Sequence, residues 1–251
     1  MITRLVLGGW MLALMAALLA PHGARAQTAK EAMEYNNSGN DALINGRMDA
    51  AIAAYSRALE IDPKLLDAYQ NRGAAYLKQR DFDRAIADFS KVLEAAPNQT
   101  TYANRALAYE GKGDYQRAVA DFTRVLDLNP EALWIYNERG LAFAHGKDYE
   151  KAVADYNKAI ELNPRHRDAY FYRAAAYRET GRYEEAVADD TKALGLTPRN
   201  KISDAAVYYD RAQAYYETKN YEKARDDARK AQSLGLQVDP NLLEASSNSG
   251  K

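Results

Sequence analysis

Residues 133–166 read LWIYNERGLAFAHGKDYEKAVADYNKAIELNPRH. Tyr136, Gly140 and Phe143 recur at steps of four and three, and so do Tyr149, Ala152, Tyr156 and Ala159. Each block therefore lies along one face of a helix. His145-Gly146-Lys147-Asp148 is a short break between them. Asn163-Pro164 closes the second block, because proline lacks the N–H and disfavours helical geometry in the residue before it. The stretch predicts helix, turn, helix, stop.

The same unit recurs along the chain with a period of 34. Counting from Leu133 as position 1, position 4 is Tyr35, Tyr69, Tyr102, Tyr136, Tyr170 and Tyr208. Position 8 is Gly39, Gly73, Ala106, Gly140, Ala174 and Ala212. Position 20 is always alanine: Ala51, Ala85, Ala118, Ala152, Ala186 and Ala224. Position 32 is Pro63, Pro97, Pro130, Pro164 and Pro198, then Leu236. The repeats run 32–65, 66–98, 99–132, 133–166, 167–200 and 205–238, with Lys201 to Asp204 extra before the last.

Small residues at 8, 20 and 27, aromatics at 4, 11, 17 and 24, and the closing proline make this chain resemble the tetratricopeptide repeat (TPR) family. Departures are tyrosine for tryptophan at 4, arginine for leucine at 7, and weaker matches at Ser38, Ala42, Asp190, Ala228 and Leu236. The resemblance implies an all-α TPR solenoid of about six helix-turn-helix repeats in a right-handed superhelix. One helix pair cannot cover both its faces, so stacked neighbours must. The charged helix Tyr221–Ser233 suits a terminal cap, residues 27–31 form a lead-in, and 239–251 read as a tail expected to be disordered, with one turn at Leu242–Ala245.

Arg72, Arg105, Arg139, Arg173 and Arg211 occupy position 7 of repeats 2 to 6, and Asp88, Asp121, Asp155, Asp189 and Asp227 occupy position 23. The first repeat lacks both partners together, having Ser38 and Ala54. An arginine–aspartate bridge between the two helices of each repeat is expected. The rival pairing, between consecutive repeats, would leave Arg72 facing Ala54.

The chain opens MITRLVLGGWMLALMAALLAPHGARAQ. Arg4, the uncharged Leu5–Ala20 and Ala24-Arg25-Ala26 have the layout of a secretory signal peptide, residues 1–26, cleaved after Ala26. The apolar run is short for a bilayer span of about 20 residues, so no membrane span is expected after cleavage. The protein is then periplasmic or secreted. Without residues 1–26 the net charge is −3, and a mixed-charge surface argues against nucleic acid. The chain has no cysteine, so it relies on packing rather than disulfides.

No catalytic motif is present, and no cofactor or metal site is expected. His145 and His166 lie at turns without a spacing-linked partner, and Asp189-Asp190 and Asp226-Asp227 read as solvated faces or as members of the ion pair. The family resemblance implies a concave groove, with most ligand contacts at positions 2, 5, 6, 9, 12 and 13. Mapped here, repeats 1 to 3 offer amides, including Asn40, Asn71 and Asn104. Repeats 4 to 6 offer Trp134, Asn137, Leu141, Phe171, Arg178, Tyr209 and Tyr216. The carboxylate clamp of chaperone-binding relatives is not expected, because Asn36, Thr100 and Asn104 stand where its cations belong. The expectation is a non-catalytic scaffold for a protein or peptide. A cell-wall polymer binder stacking on Trp134, Phe171 and Tyr209, or a self-associating structural protein, are the alternatives.

Overall fold

The computed structural model describes residues 22–196 and 202–244. Residues 1–21 of the expected signal peptide, Pro198 and residues 245–251 of the tail lie outside them. Among the described residues all regular structure is α-helical. The helices are α1 (His22–Ile44), α2 (Met48–Ile61), α3 (Leu66–Lys78), α4 (Phe82–Ala95), α5 (Gln99–Gly111), α6 (Tyr115–Leu128) and α7 (Leu133–His145). They continue as α8 (Tyr149–Leu162), α9 (Arg167–Glu179), α10 (Tyr183–Leu194), α11 (Asp204–Glu217), α12 (Tyr221–Ser233) and α13 (Pro240–Leu243). The chain divides into two compact units, 1–112 and 113–251. Within each, every helix packs on the next in sequence, and α3 also touches α1 and α5, as α9 touches α7 and α11.

The expected lead-in is part of α1, which runs through the expected cleavage point from His22. Cleavage after Ala26 would shorten it without reaching the first repeat. Within most repeats the second helix starts at an aspartate or other polar residue after a left-handed residue. Asp81, Asp114 and Asp148 each accept a backbone N–H of the first turn. The residue before the cap is in the left-handed region at Gly46, Arg80, Gly113, Lys147, Gly181 and Lys219.

Each repeat closes around position 8. A Cβ on Gly140 would stand 2.6 Å from Cε1 of Tyr156, and one on Gly73 2.8 Å from Cε1 of Phe89. Glycine is thus needed where position 24 is a bulky ring seated against the backbone of the first helix. Where position 24 is small, position 8 is alanine: Ala174 with Asp190, Ala212 with Ala228. Ala106 shares its repeat with Phe122 and departs from this correspondence. The rings at 24 are fully buried at Tyr55, Phe89, Phe122 and Tyr156.

The arginine–aspartate bridge lies inside the repeat. Arg72 grips Asp88 through two bonds of 2.8 Å. Arg139 does the same to Asp155 at 2.7 Å, Arg173 to Asp189 at 2.6 and 2.7 Å, and Arg211 to Asp227 at 2.7 and 2.9 Å. The remaining nitrogen, Nη1, reaches back to position 25 of the preceding repeat. It donates to Ser56 from Arg72, to Ser90 from Arg105, to Thr123 from Arg139, to Asn157 from Arg173 and to Thr191 from Arg211. Each guanidinium also lies near the rings at positions 4 and 11, three residues before and four after it, as Arg139 does at 5.8 Å from Tyr136 and 5.9 Å from Phe143.

The tail departs from expectation in its first part. Asp239 caps a single turn, α13, and Leu242 is buried against Ala212 and Ala228. The small Ala228 leaves a space at position 24 that rings fill in repeats 1 to 4, and Leu242 occupies it. That apolar burial is the reason for the order.

Two outcomes are expected from chemical denaturation. Arg139→Ala leaves the buried Asp155 carboxylate without its partner and destabilises by about 3 kcal/mol, against about 1 kcal/mol for Thr123→Ala, which removes one neutral acceptor. Gly140→Ala pushes the Tyr156 ring out of its seat and costs about 1–3 kcal/mol.

Candidate functional site

In the first unit the amide wall is tied to itself. Asn71 donates to Oδ1 of both Asn36 and Asn40, at 3.1 Å each. Tyr55 donates to Oδ1 of Asn40 at 2.8 Å, and Thr101 to Gln70 at 2.6 Å. Asn104 is half-buried. These side chains hold α1, α3 and α5 together. A cleft of about 530 Å³ lies nearby at the α3–α4 turn, where Arg84 pairs with Asp81 and Lys112 with Asp83. None of the expected groove residues lines it.

In the second unit the expected residues have different fates. Trp134, on the first turn of α7, is 50% exposed. Leu141 is half-buried, and Asn137 is buried, its Oδ1 without a donor among the described residues. Phe171 packs beside Tyr170, Ala193 and Val207 and meets Tyr172 edge-on, centroids 5.5 Å apart. Tyr209 and Tyr216 pack around Ala212, Ala228 and Leu242. Three of the four expected aromatics are therefore engaged in holding repeats and the C-terminal turn together.

Arg178 leads to a feature that the sequence reading missed. Its Nε donates to Oδ1 of Asp210 at 3.0 Å, and its Nη1 lies 3.6 Å from Glu179. Asp210 faces Asp190, which is fully buried. At the preceding junction the same two positions, 24 and 6, hold the stacked rings of Tyr156 and Tyr172, 6.0 Å apart. Asp190 is thus not a solvated partner of Asp189. Asp189 is the ion-pair member, and Asp190 replaces a core ring.

Burial, then the charge of Asp210, pushes the Asp190 carboxyl up to about 10. Burial raises Asp210 as well, but Arg178 opposes that by favouring its ionised form. The two facing oxygens can hydrogen bond only if one carboxyl carries a proton. Asp190 has no cation of its own and is the better site for that proton, while Arg178 favours the ionised form of Asp210.

Beside Arg178 opens a cleft of about 440 Å³, formed by α9, the start of α10, α11 and α13. Arg178, Glu179, Tyr183, Gln213, Tyr216, Glu217, Asp239, Asn241 and Leu242 line it.

The histidines have structural places. Nδ1 of His166 accepts the backbone N–H of Ala169 at 3.1 Å, capping α9, a partner the sequence reading did not supply. His145 lies with its ring 5.3 Å from that of Tyr115. Among the described residues no group of three His, Cys, Asp or Glu is placed to hold a metal ion. No described helix is long and apolar enough to cross a membrane.

Tetratricopeptide repeat models match residues 103–164 and 148–201, 66–99 and 205–234, and a TPR repeat model matches 39–80. Together these leave only 100–102 and 202–204 unmatched between 39 and 234. The chain belongs to the tetratricopeptide repeat family. A curated relative, UDP-N-acetylglucosamine–peptide N-acetylglucosaminyltransferase of Giardia intestinalis, is 38% identical over 64 residues. That match covers 26% of this chain and only 4% of that protein, so the likeness is confined to a short stretch of repeats. The solved structure of MamA protein is 26% identical at TM-score 0.63, covering 65% of this chain and 90% of that one. YrrB, a TPR protein with an unusual peptide-binding site, aligns at TM-score 0.62 and 21% identity over 78% of this chain and 98% of its own, a likeness of fold. The chain is a TPR protein with the helical-repeat architecture of protein-interaction scaffolds.

The proton held by Asp190 gives the stability a sign. Its folded pKa is raised above the ordinary carboxyl value, so the native state holds a proton that the unfolded chain has lost, and stability falls as pH rises from about 4 towards 10. Asp190→Asn removes this dependence while keeping a donor for Asp210. Thermal melts are expected to show the variant more stable than wild type at pH 8, with the gain shrinking towards pH 4.

Proposed function

We propose that this protein is an exported, non-catalytic TPR scaffold that binds an extended peptide or protein segment along the first helices of repeats 4 to 6. The observation that carries it is Trp134. This large aromatic is half-exposed at a position that the family resemblance assigns to the groove, while Tyr156 of its repeat is fully buried and Phe143 and Tyr149 pack against the core. Tryptophan offers a broad apolar face and an N–H donor at low entropic cost, which is why it anchors many interfaces. Leu141 continues the strip on the same helix, and Arg178 and Gln213 supply polar contacts further along.

Stacking on a cell-wall polymer has less support, since it needs several open ring faces. Phe171 and Tyr209 are packed against neighbouring repeats, which leaves Trp134 alone. Export rests on the layout of residues 1–26. The hydrogen-bonded amides of repeats 1 to 3 serve the solenoid, so the ligand face is assigned to the second half of the chain.

The test is affinity capture from envelope extract with the protein as recovered from its cells, beside Trp134→Ala. A partner retained by wild type and lost or weakened at least tenfold by the variant is expected; equal retention overturns the groove assignment. Mass spectrometry of the recovered protein checks export, with an N-terminus at Gln27 as the expected result.

A further inference from the structure

The 440 Å³ cleft beside Arg178 has a composition that selects its occupant. Three carboxylates line it, Glu179, Glu217 and Asp239, with the rings of Tyr183 and Tyr216. Its one cation is already committed, since Arg178 donates to the buried Asp210 and lies 3.6 Å from Glu179. Three carboxylates against one paired cation leave the lining net acidic, which disfavours an anion. An apolar group would strip water from the carboxylates without replacing their hydrogen bonds.

The geometry points to a cation-accepting pocket at repeats 5 and 6, which receives a lysine or arginine side chain of the bound peptide. The assignment rests on the peptide-binding reading above and narrows it. A basic side chain answers each feature of the cleft. Its aliphatic stem lies along apolar surface while its charged head seeks partners at the end of the stem. The tyrosine rings attract it through their negative faces, and Glu217 and Glu179 accept from it with charge-assisted bonds. Its volume of about 440 Å³ falls within the range of ligand sites.

The cleft also depends on the C-terminal turn. Asp239 and Asn241 stand on its wall only because Leu242 pins α13 against Ala212 and Ala228. Asp239 uses Oδ1 to cap Asn241 N, leaving its other oxygen for the ligand. Asp239 and Asn241 follow the sixth repeat, so the pocket belongs to repeats 5 and 6 together with α13.

The test uses three fluorescein-labelled Gly-Ser octapeptides that differ only in a central lysine, glutamine or glutamate. Fluorescence polarisation is measured with wild-type protein and with Glu179→Gln/Glu217→Gln, an isosteric change at exposed positions whose folding is checked by its melting temperature. The lysine peptide is expected to bind about tenfold or more tightly than the other two. That preference should collapse in the double variant and weaken as salt is raised. Equal binding of all three peptides, or a lysine preference that survives in the double variant, overturns the pocket while leaving peptide binding intact. Binding of none of them overturns the pocket too. Failure of the broader reading shows separately, as a partner held equally well by wild type and Trp134→Ala.

Discussion

The structure depends on a half-buried positive charge, closed over a buried aspartate, that cannot be left alone. The arginine at position 7 sits within the helix pair, where a guanidinium without acceptors would cost several kcal/mol. Its fork answers that in three directions. Two nitrogens close on the aspartate of the second helix, and a third reaches the second helix of the repeat before. A lysine, a point charge, could not make the parallel pair and the backward bond at once. The ion pair therefore fixes the tilt of one helix on its partner and, with the same group, the spacing of one repeat on the next. The first repeat has Ser38 at position 7 and Ala54 in place of the aspartate.

Around that clamp the apolar core is a matter of volume. In repeats 1, 2 and 4 the ring at position 24 lies against a bare backbone at position 8, and in the last two a small residue at 24 permits a methyl there, with the third repeat as the exception. The last two repeats break the pattern and repair it differently. Ala228 receives Leu242 from beyond the repeat. Asp190 receives Asp210, a carboxylate where the preceding junction stacks tyrosines. The second repair is costly, because it holds a proton out of water and makes that end of the protein pH-sensitive. A ring would have filled the site without titrating.

The architecture was legible because a solenoid writes its contacts at fixed offsets. The period, the helix pairs and the intra-repeat bridge follow from the letters, since Arg and Asp vanish together from the first repeat. The backward bond was equally written and was overlooked. Position 25 is Ser56, Ser90, Thr123, Asn157 and Thr191, then Arg229 in the sixth repeat, which α13 rather than another repeat follows. A column of short acceptors that ends where stacking ends is a signal, but it only makes sense once Nη1 is seen to need a partner. The fates of the groove residues were less legible. Whether Phe171 or Tyr209 faces solvent depends on which neighbour lies over it, and that neighbour is far away in sequence. Leu242, the residue that packs on Tyr209 and Tyr216, sits in a stretch whose polar composition suggested one turn at Leu242–Ala245 but no burial, whereas the turn forms at Pro240–Leu243 with Leu242 inside.

A repeat protein gains ligand sites where a repeat stops behaving like its neighbours. At the positions that must fill the core, all repeats converge, and variation there is destabilising. Trp134 exceeds what its repeat needs for packing, and it is left half in water. Arg178 likewise lies at a position that is apolar in the first two repeats, Leu43 and Leu77. It is tolerated because Asp210 neutralises it from within, and Asp210 is tolerated because Asp190 can carry a proton. This chain of dependence runs from the buried dyad outward to the wall of the cleft. The dyad spends the guanidinium's charge internally, so the exposed carboxylates of Glu217 and Asp239 dominate the field at the mouth. Removal of the buried aspartates would release Arg178 towards the cleft and reverse its selectivity, which ties the unusual core of the fifth repeat to what the surface above it can bind.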